Sequence, residues 1–410
     1  MMHAPAGSRP QLVDSSYAWL RLGVALLLCT LGSVGMWTYV VSLPAVQSEF
    51  GVVRADATLP FTMAMVGFGT GNALLGRLTD RIGIFTPILF GIVVIGAGYI
   101  GSGLAPSLWM LSAFHILIGL GAATFFGPMI SDISHWFLKR RGIAVAIAAT
   151  GNYVAGAIWP AVTSHFLATS GWRATHIGIG IFCVVAMLPL SLMFRGGTQV
   201  SEVQAQDATA FRAPDLGISQ NMLFALLCIA GIGCCVAMAM PQVHIVAYCG
   251  DLGYGVARGA EMLSLMLACG IVSRVGSGFI ADRFGGVVTL LIGSVMQAVA
   301  LVLYFLFDGL TSLYVISILF GLFQGGIVPS YAVIIREYFP PKEAGTRVGI
   351  LILATVFGMA LGGWMSGAIF DHTGSYRAAF ANGIAWNLIT LAVAFWLLFA
   401  GRPSARPATA

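Results

Sequence analysis

The chemistry legible in this chain centres on one cation. Residues 262–285, MLSLMLACGIVSRVGSGFIADRFG, form an apolar run long enough to cross a membrane, and Arg274 lies inside it. Counting back from Asp282 at about 1.5 Å per helical residue puts Arg274 about 12 Å from the charged end. That is near the middle of a hydrocarbon core about 30 Å thick. An arginine there costs roughly 2.5–3.5 kcal/mol on insertion scales, so it needs a compensating group. One turn away lie Gly270, Ile271, Ser277 and Gly278, none of them acidic. Glu261 is about 20 Å up the axis. The compensating group therefore stands on another helix or is a ligand. A planar guanidinium in a low-dielectric cavity suits a carboxylate, which it binds through two parallel hydrogen bonds. The alternative is a structural arginine bonded to backbone carbonyls.

Every other Lys or Arg lies outside the apolar runs or within three residues of an end, so a single central charge argues against a dianion and for a monocarboxylate, or for a larger acid whose second group is paired otherwise. Tyr331, Gln324 and Asn152 carry hydrogen-bonding groups deep in apolar runs, where such groups need partners, and they lead the other candidates. Tyr153, Trp37 and Phe126 join them as walls of an apolar cage, with Tyr39, Phe125, Trp364 and Asn387 behind. Each aromatic taken singly is more often a packing or interfacial residue. His115 is the candidate proton carrier, because imidazole titrates near neutral pH, against the commoner role of a hydrogen-bonded packing histidine. His244 and Glu261 lie toward the outer ends of their runs.

The elements that position these residues follow from composition. Hydrophobic residues make up 58% of the 410-residue chain and charged residues 9%. A soluble domain carries about a quarter charged residues, so this is a polytopic membrane protein. Twelve spans of about 20 or more apolar residues can be drawn. They lie near 19–43, 57–79, 84–104, 107–131, 142–168 and 173–194, then 219–247, 258–281, 286–307, 311–336, 345–370 and 376–400. The expected domains are a six-helix bundle over 1–195, a cytoplasmic linker over 196–218, a second bundle over 219–400 and a disordered tail over 401–410.

Of the twenty Lys and Arg, only Arg54, Arg173, Arg258 and Arg377 fall on one face of this topology and Arg274 lies within it; the rest gather on the other face. That asymmetry puts both termini in the cytoplasm and gives the +5 charge a topological meaning, with no nucleic-acid partner implied. Residues 1–18 show no short apolar region with a cleavage site. The seven cysteines lack CxxC spacing, which points to neither a zinc site nor a disulfide framework. No cofactor is implied, and no partner protein.

An internal repeat organises the spans. GRLTDRIG at 76–83 recurs as GFIADRFG at 278–285, an offset of 202. At the same offset ILIGL (116–120) recurs as ILFGL (318–322), and Trp136–Phe137 as Tyr338–Phe339. Matches in register indicate duplication of a six-helix unit. Arg274 then corresponds to Asn72, so the symmetry breaks at the one costly residue.

The GxxxDRxG loops resemble the signature loops of the major facilitator superfamily. The expected fold is therefore all-α, with twelve transmembrane helices in two pseudo-symmetric six-helix bundles. The resemblance implies a cytoplasmic gate built from Asp80, Arg81, Asp282 and Arg283, with Asp132 as a further member. Ile84 and Phe85 stand where basic residues usually follow the first loop. Two stretches narrow the resemblance to the monocarboxylate transporter family. DSSYAW at 14–19 is similar to its approach to the first helix, with Ser15 and Ser16 in place of glycines. WFLKRRGIAVAIAATG at 136–151 resembles its basic loop and small-residue fifth helix, matching at Trp136, Phe137, Lys139, Arg140, Arg141, Ala144, Ala148 and Gly151. The oxalate–formate antiporter is similar around 349–358 but has a lysine at Thr355, which makes Thr355 a candidate pocket residue.

The resemblance implies secondary active transport of a lactate- or pyruvate-like acid by alternating access in a bacterial inner membrane, with the carboxylate on Arg274 and a proton carried along. Family members that couple to protons have an aspartate at Gly270 and a lysine at Trp37, so organic-anion exchange, facilitated diffusion or export of another small acid stays open. An enzyme would need paired carboxylates, an HExxH pair or a nucleophile with its base inside a span, and the sequence offers none. A sensor that kept the fold would bind the acid without flux.

Overall fold

A computed structural model describes residues 13–138, 140–195 and 216–400, without the side chains of Asp80, Arg141, Pro341 and Lys342. The tail 401–410 and most of the expected linker lie outside the described residues. Fourteen α-helices carry the described chain, and no strand occurs in it. They are α1 (Ser16–Gly32), α2 (Val34–Phe50), α3 (Arg54–Ala57), α4 (Leu59–Ile82), α5 (Phe85–Gly103), α6 (Leu108–Ala123) and α7 (Gly127–His135). There follow α8 (Arg141–Ser191), α9 (Gln220–Asp251), α10 (Val256–Leu306), α11 (Leu310–Gln324), α12 (Ile327–Tyr338), α13 (Pro341–Thr373) and α14 (Tyr376–Ala400). Within lipid a chain must satisfy its backbone polar groups internally, and helices do so segment by segment.

The 51-residue helices α8 and α10 are each too long for one crossing and break at a glycine, Gly171 (φ 75°) and Gly285 (φ 84°). Conversely, α1 with α2, α6 with α7, and α11 with α12 are near-continuous pairs interrupted by one to three residues. Counting each broken helix as two crossings and each pair as one recovers the twelve spans. Serines start three of the helices in the expected way. The side chains of Ser15, Ser107 and Ser219 accept the backbone N–H of Ala18, Met110 and Met222.

The helices cluster into two compact units, the first from α1, α2 and α4–α8, the second from α3 and α9–α14. The repeat read from sequence is visible inside each. In the first, Gly119 of α6 lies so close to α4 that a Cβ would fall 1.9 Å from the Ala64 carbonyl oxygen. In the second, Gly321 of α11 stands in the same relation to Met266 of α10, at 2.2 Å. Both contacts are related by the offset of 202, and both need a residue without a side chain where two backbones meet. The signature loops likewise end on glycines with positive φ, Gly83 (80°) and Gly285 (84°).

Short α3 departs from chain order by packing in the second unit. The Asp371 carboxylate accepts the N–H groups of Arg54 (2.8 Å) and Ala55 (2.7 Å), capping a helix too short to cap itself. The Arg54 guanidinium donates to Asp251 at 3.0 and 3.2 Å and to the Tyr376 hydroxyl, and lies 4.7 Å over Phe370. Burial opposes its charge, yet Tyr376 and Asp251 outweigh that and hold its pKa above the ordinary guanidinium value.

Candidate functional site

In the second unit Arg274 is half-buried on α10. The break between α11 and α12, Gly325–Gly326, is pressed against the turn that carries it. A Cβ on Gly325 would lie 2.4 Å from the Gly270 carbonyl oxygen and 2.8 Å from the Arg274 nitrogen; one on Gly326 would lie 2.2 Å from Ser277 Cβ. The Gly325 N–H, left over where α11 ends, donates to Ser273 Oγ at 3.1 Å. The guanidinium is thus carried on a turn braced from two helices.

Gln324 is the last residue of α11 and 1% exposed. Its Oε1 accepts from Gln242 Nε2 of α9 at 2.5 Å, while its own Nε2 is buried with no acceptor among the described residues. An amide donor in that condition is a ready contact for a carboxylate oxygen. Tyr331 is fully buried, and its hydroxyl donates to Cys234 Sγ at 3.5 Å. Thr355 is 3% exposed, donates to the Ile352 carbonyl, and packs 3.2 Å from where a Cβ on Gly231 would be. These two residues fasten α12 and α13 to α9. Trp364 is exposed and Asn387 buried.

In the first unit Trp37 Nε1 donates to both the carbonyl (3.1 Å) and Oδ1 (3.0 Å) of Asn152, joining α2 to α8. Gly151 permits the close approach of α8 to α1, since a Cβ there would sit 2.4 Å from Cys29 Cβ, and Ala144 and Ala148 are buried on the same helix. Tyr153 is buried, and Phe126, between α6 and α7, is half-buried with its ring 5.7 Å from Phe68. Asn72, the counterpart of Arg274, spends its side chain on its own unit. Its Oδ1 accepts the Gly127 N–H at the α6–α7 break, and its Nδ2 donates to the Phe68 carbonyl. In the second unit Ser273 does the equivalent bracing one residue earlier, which releases position 274 for a residue of another kind.

His115 is 1% exposed, and its Nδ1 donates to the Leu111 carbonyl at 2.8 Å. Its ring stands edge-on to Tyr39 at 4.7 Å and 6.0 Å from His176. His176 is held at both nitrogens, by Ser42 at 3.2 Å and Ser102 at 2.8 Å.

Among the expected gate residues, Arg81, Asp282 and Arg283 are exposed, and the side chain of Asp80 lies outside the described residues. Asp132 bonds to Arg21 at 2.9 Å, with both side chains almost wholly buried. The same guanidinium lies between the rings of Trp136 (4.5 Å) and Phe194 (4.2 Å) and donates to the Met193 carbonyl. Sequence counted Arg21 among the basic residues at the membrane edge, where long cations usually reach for water. Its interior role had one hint, a place between the aromatics and the apolar run. The stretches DSSYAW and WFLKRR also meet. The Asp14 N–H donates to the Trp136 carbonyl (3.1 Å), its carboxylate accepts the Leu138 N–H (3.3 Å), and Trp19 lies against Phe137 (5.0 Å).

Two repeated helical units, each able to span a membrane several times, and a cation near the middle of an apolar crossing define a polytopic membrane carrier. Comparison with known proteins places it. A profile of the Major Facilitator Superfamily matches residues 25–313 and 262–410, and the chain belongs to that superfamily. It is 26% identical over 383 residues to monocarboxylate transporter 13 of Rattus norvegicus, covering 91% of this chain and 87% of that one. It is 24% identical over 332 residues to the sialic acid transporter NanX of Escherichia coli (strain K12), covering 78% of this chain and 79% of NanX. The fold is shared with a bacterial homologue of the lysosomal transporter Spinster in an inward-facing, occupied state (TM-score 0.66, 17% identity, 96% of each chain). It is shared too with the nucleoside transporter NupG (TM-score 0.72, 13% identity, 93% of this chain and 99% of that one). The protein is a multi-pass membrane transporter of small molecules and not an enzyme.

Proposed function

We propose that this transporter carries a small monocarboxylate of the lactate or pyruvate kind, exposing its site alternately to the two sides of the membrane. The observation that carries the reading is Arg274, a cation on a braced turn inside an apolar crossing, with the buried Gln324 amide donor at the adjoining helix break. The guanidinium takes the carboxylate through paired hydrogen bonds, and neutralising it lowers the cost of enclosing the charge. In the second unit Tyr331 and Thr355 fix the helices that shape the site, and in the first unit Trp37, Asn152, Tyr153 and Phe126 are the candidate contacts with the substrate. The likeness to monocarboxylate transporter 13 supports this substrate class, while NanX, whose name also specifies an acid, supports the broader class of organic acids.

The coupling ion in this reading is the proton, with His115 as its carrier. The Nδ1 hydrogen is committed to Leu111, so Nε2 holds the lone pair that a proton takes. A second reading, exchange of one carboxylate for another, is favoured by Gly270 and Trp37 standing at the positions of the usual relay residues. The gate is assigned to Asp80, Arg81, Asp132, Asp282 and Arg283, with both termini in the cytoplasm of a bacterial cell and the chain in its inner membrane.

The test is uptake of labelled lactate into proteoliposomes, with and without an inward proton gradient and with and without internal carboxylate. Accumulation driven by the gradient supports symport. Flux that needs internal carboxylate supports exchange. Neither, in folded protein, refutes the substrate class.

A further inference from the structure

A second polar cluster lies in the core of the second unit. Three helices contribute one turn each and are cross-bonded in a closed triangle. Gln297 Nε2 of α10 donates to the Cys234 carbonyl of α9 (3.0 Å), Asn387 Nδ2 of α14 donates to the Ser294 carbonyl of α10 (2.8 Å), and Thr390 Oγ1 of α14 donates to the Ala230 carbonyl of α9 (2.8 Å). These bonds fix the orientation of both amides, because a flip would set oxygen against oxygen. With their NH2 groups so committed, Gln297 Oε1 and Asn387 Oδ1 have no donor among the described residues, and neither does Ser294 Oγ. All three residues are at most 1% exposed. Leaving such groups unmatched in a core is costly, and all three oxygens keep lone pairs without a positive partner.

We propose that this triangle is a binding site for a monovalent hard cation, sodium, held by Ser294 Oγ, Gln297 Oε1 and Asn387 Oδ1. Hard cations take oxygen ligands, and sites made from carbonyl dipoles and hydroxyls recur in secondary transporters. The three groups are neutral, so a single charge is the one they can compensate. The site stands independently of Arg274 and of the carboxylate reading.

The experiment is thermal unfolding of the purified protein by tryptophan fluorescence in sodium chloride, against N-methyl-D-glucamine chloride at equal ionic strength. A ligand of the native state raises the midpoint as its concentration rises. Wild type is expected to show a saturable sodium-dependent rise that Gln297→Leu abolishes and Arg274→Ala retains. Ser294→Ala, which removes one ligand and breaks none of the three cross-bonds, is expected to need several-fold more sodium to saturate, and it answers the question even if Gln297→Leu does not fold. A wild-type midpoint indifferent to sodium overturns the site and leaves ordinary bound water as the partner of these oxygens. So does a sodium response unchanged in both cluster variants. Loss of lactate transport alone leaves this result untouched.

Discussion

Gly325 lies so close to the backbone nitrogen of Arg274 that a Cβ there would come within 2.8 Å of it. The central cation therefore rides on a turn whose height is set by a glycine on another helix. Gly325→Ala should push α11 from α10, costing about 1–3 kcal/mol as overpacking does, with transport falling more than stability accounts for. Gly276→Ala, where a Cβ meets nothing within 4 Å, is the control and should stay within about 0.5 kcal/mol of wild type. Chemical denaturation beside initial uptake rate checks both.

Arg274→Lys keeps the charge but loses the paired geometry. A hydrogen bond to a charged group contributes about 1.5–3 kcal/mol, so carboxylate affinity should fall roughly tenfold to a hundredfold. Competition by unlabelled acid, measured in both proteins, reads the shift directly. Equal affinities would mean that the guanidinium does not grip the substrate.

The Arg21–Asp132 pair should behave as a buried ion pair. Asp132→Leu strands a guanidinium in the core and is expected to cost about 3–5 kcal/mol, whereas Arg21→Met combined with Asp132→Leu recovers most of it. Thermal midpoints of the single and double variants form the check. Additive losses would show that the two charges are independent.

Asp371 caps α3 through two backbone amides. In Asp371→Ala the Arg54 and Ala55 amides should exchange hydrogen faster, with little change in α9 or α14. Hydrogen exchange read by mass spectrometry resolves that segment.

Much of the fold was legible before the structure, because lipid imposes length: twelve apolar runs had to be crossings, and GRLTDRIG with GFIADRFG had to mark a repeat. The breaks within crossings were not legible. Thr124–Phe126 and Gly325–Gly326 lie inside apolar runs whose composition does not change at the break. Burial was equally hidden, since lipid-facing and core-facing residues are alike apolar. Trp364 is exposed while Thr355 is buried, although both were candidates for the pocket. Arg274 stood out because a charge in that setting is rare. Gln242, the partner of Gln324, and Arg21, the partner of Asp132, went unnoticed, since pairing across helices is a tertiary fact that spacing along one helix does not carry.

The central claim is that Arg274 binds the carboxylate being moved. The most direct measurement is uptake of labelled lactate, pyruvate, acetate, an aromatic acid and oxalate into proteoliposomes holding wild type or Arg274→Ala. The expected result is transport of monocarboxylates in preference to oxalate, lost in Arg274→Ala while the variant keeps its fold. Monocarboxylate flux that survives the substitution, or oxalate carried better than lactate, would contradict the account.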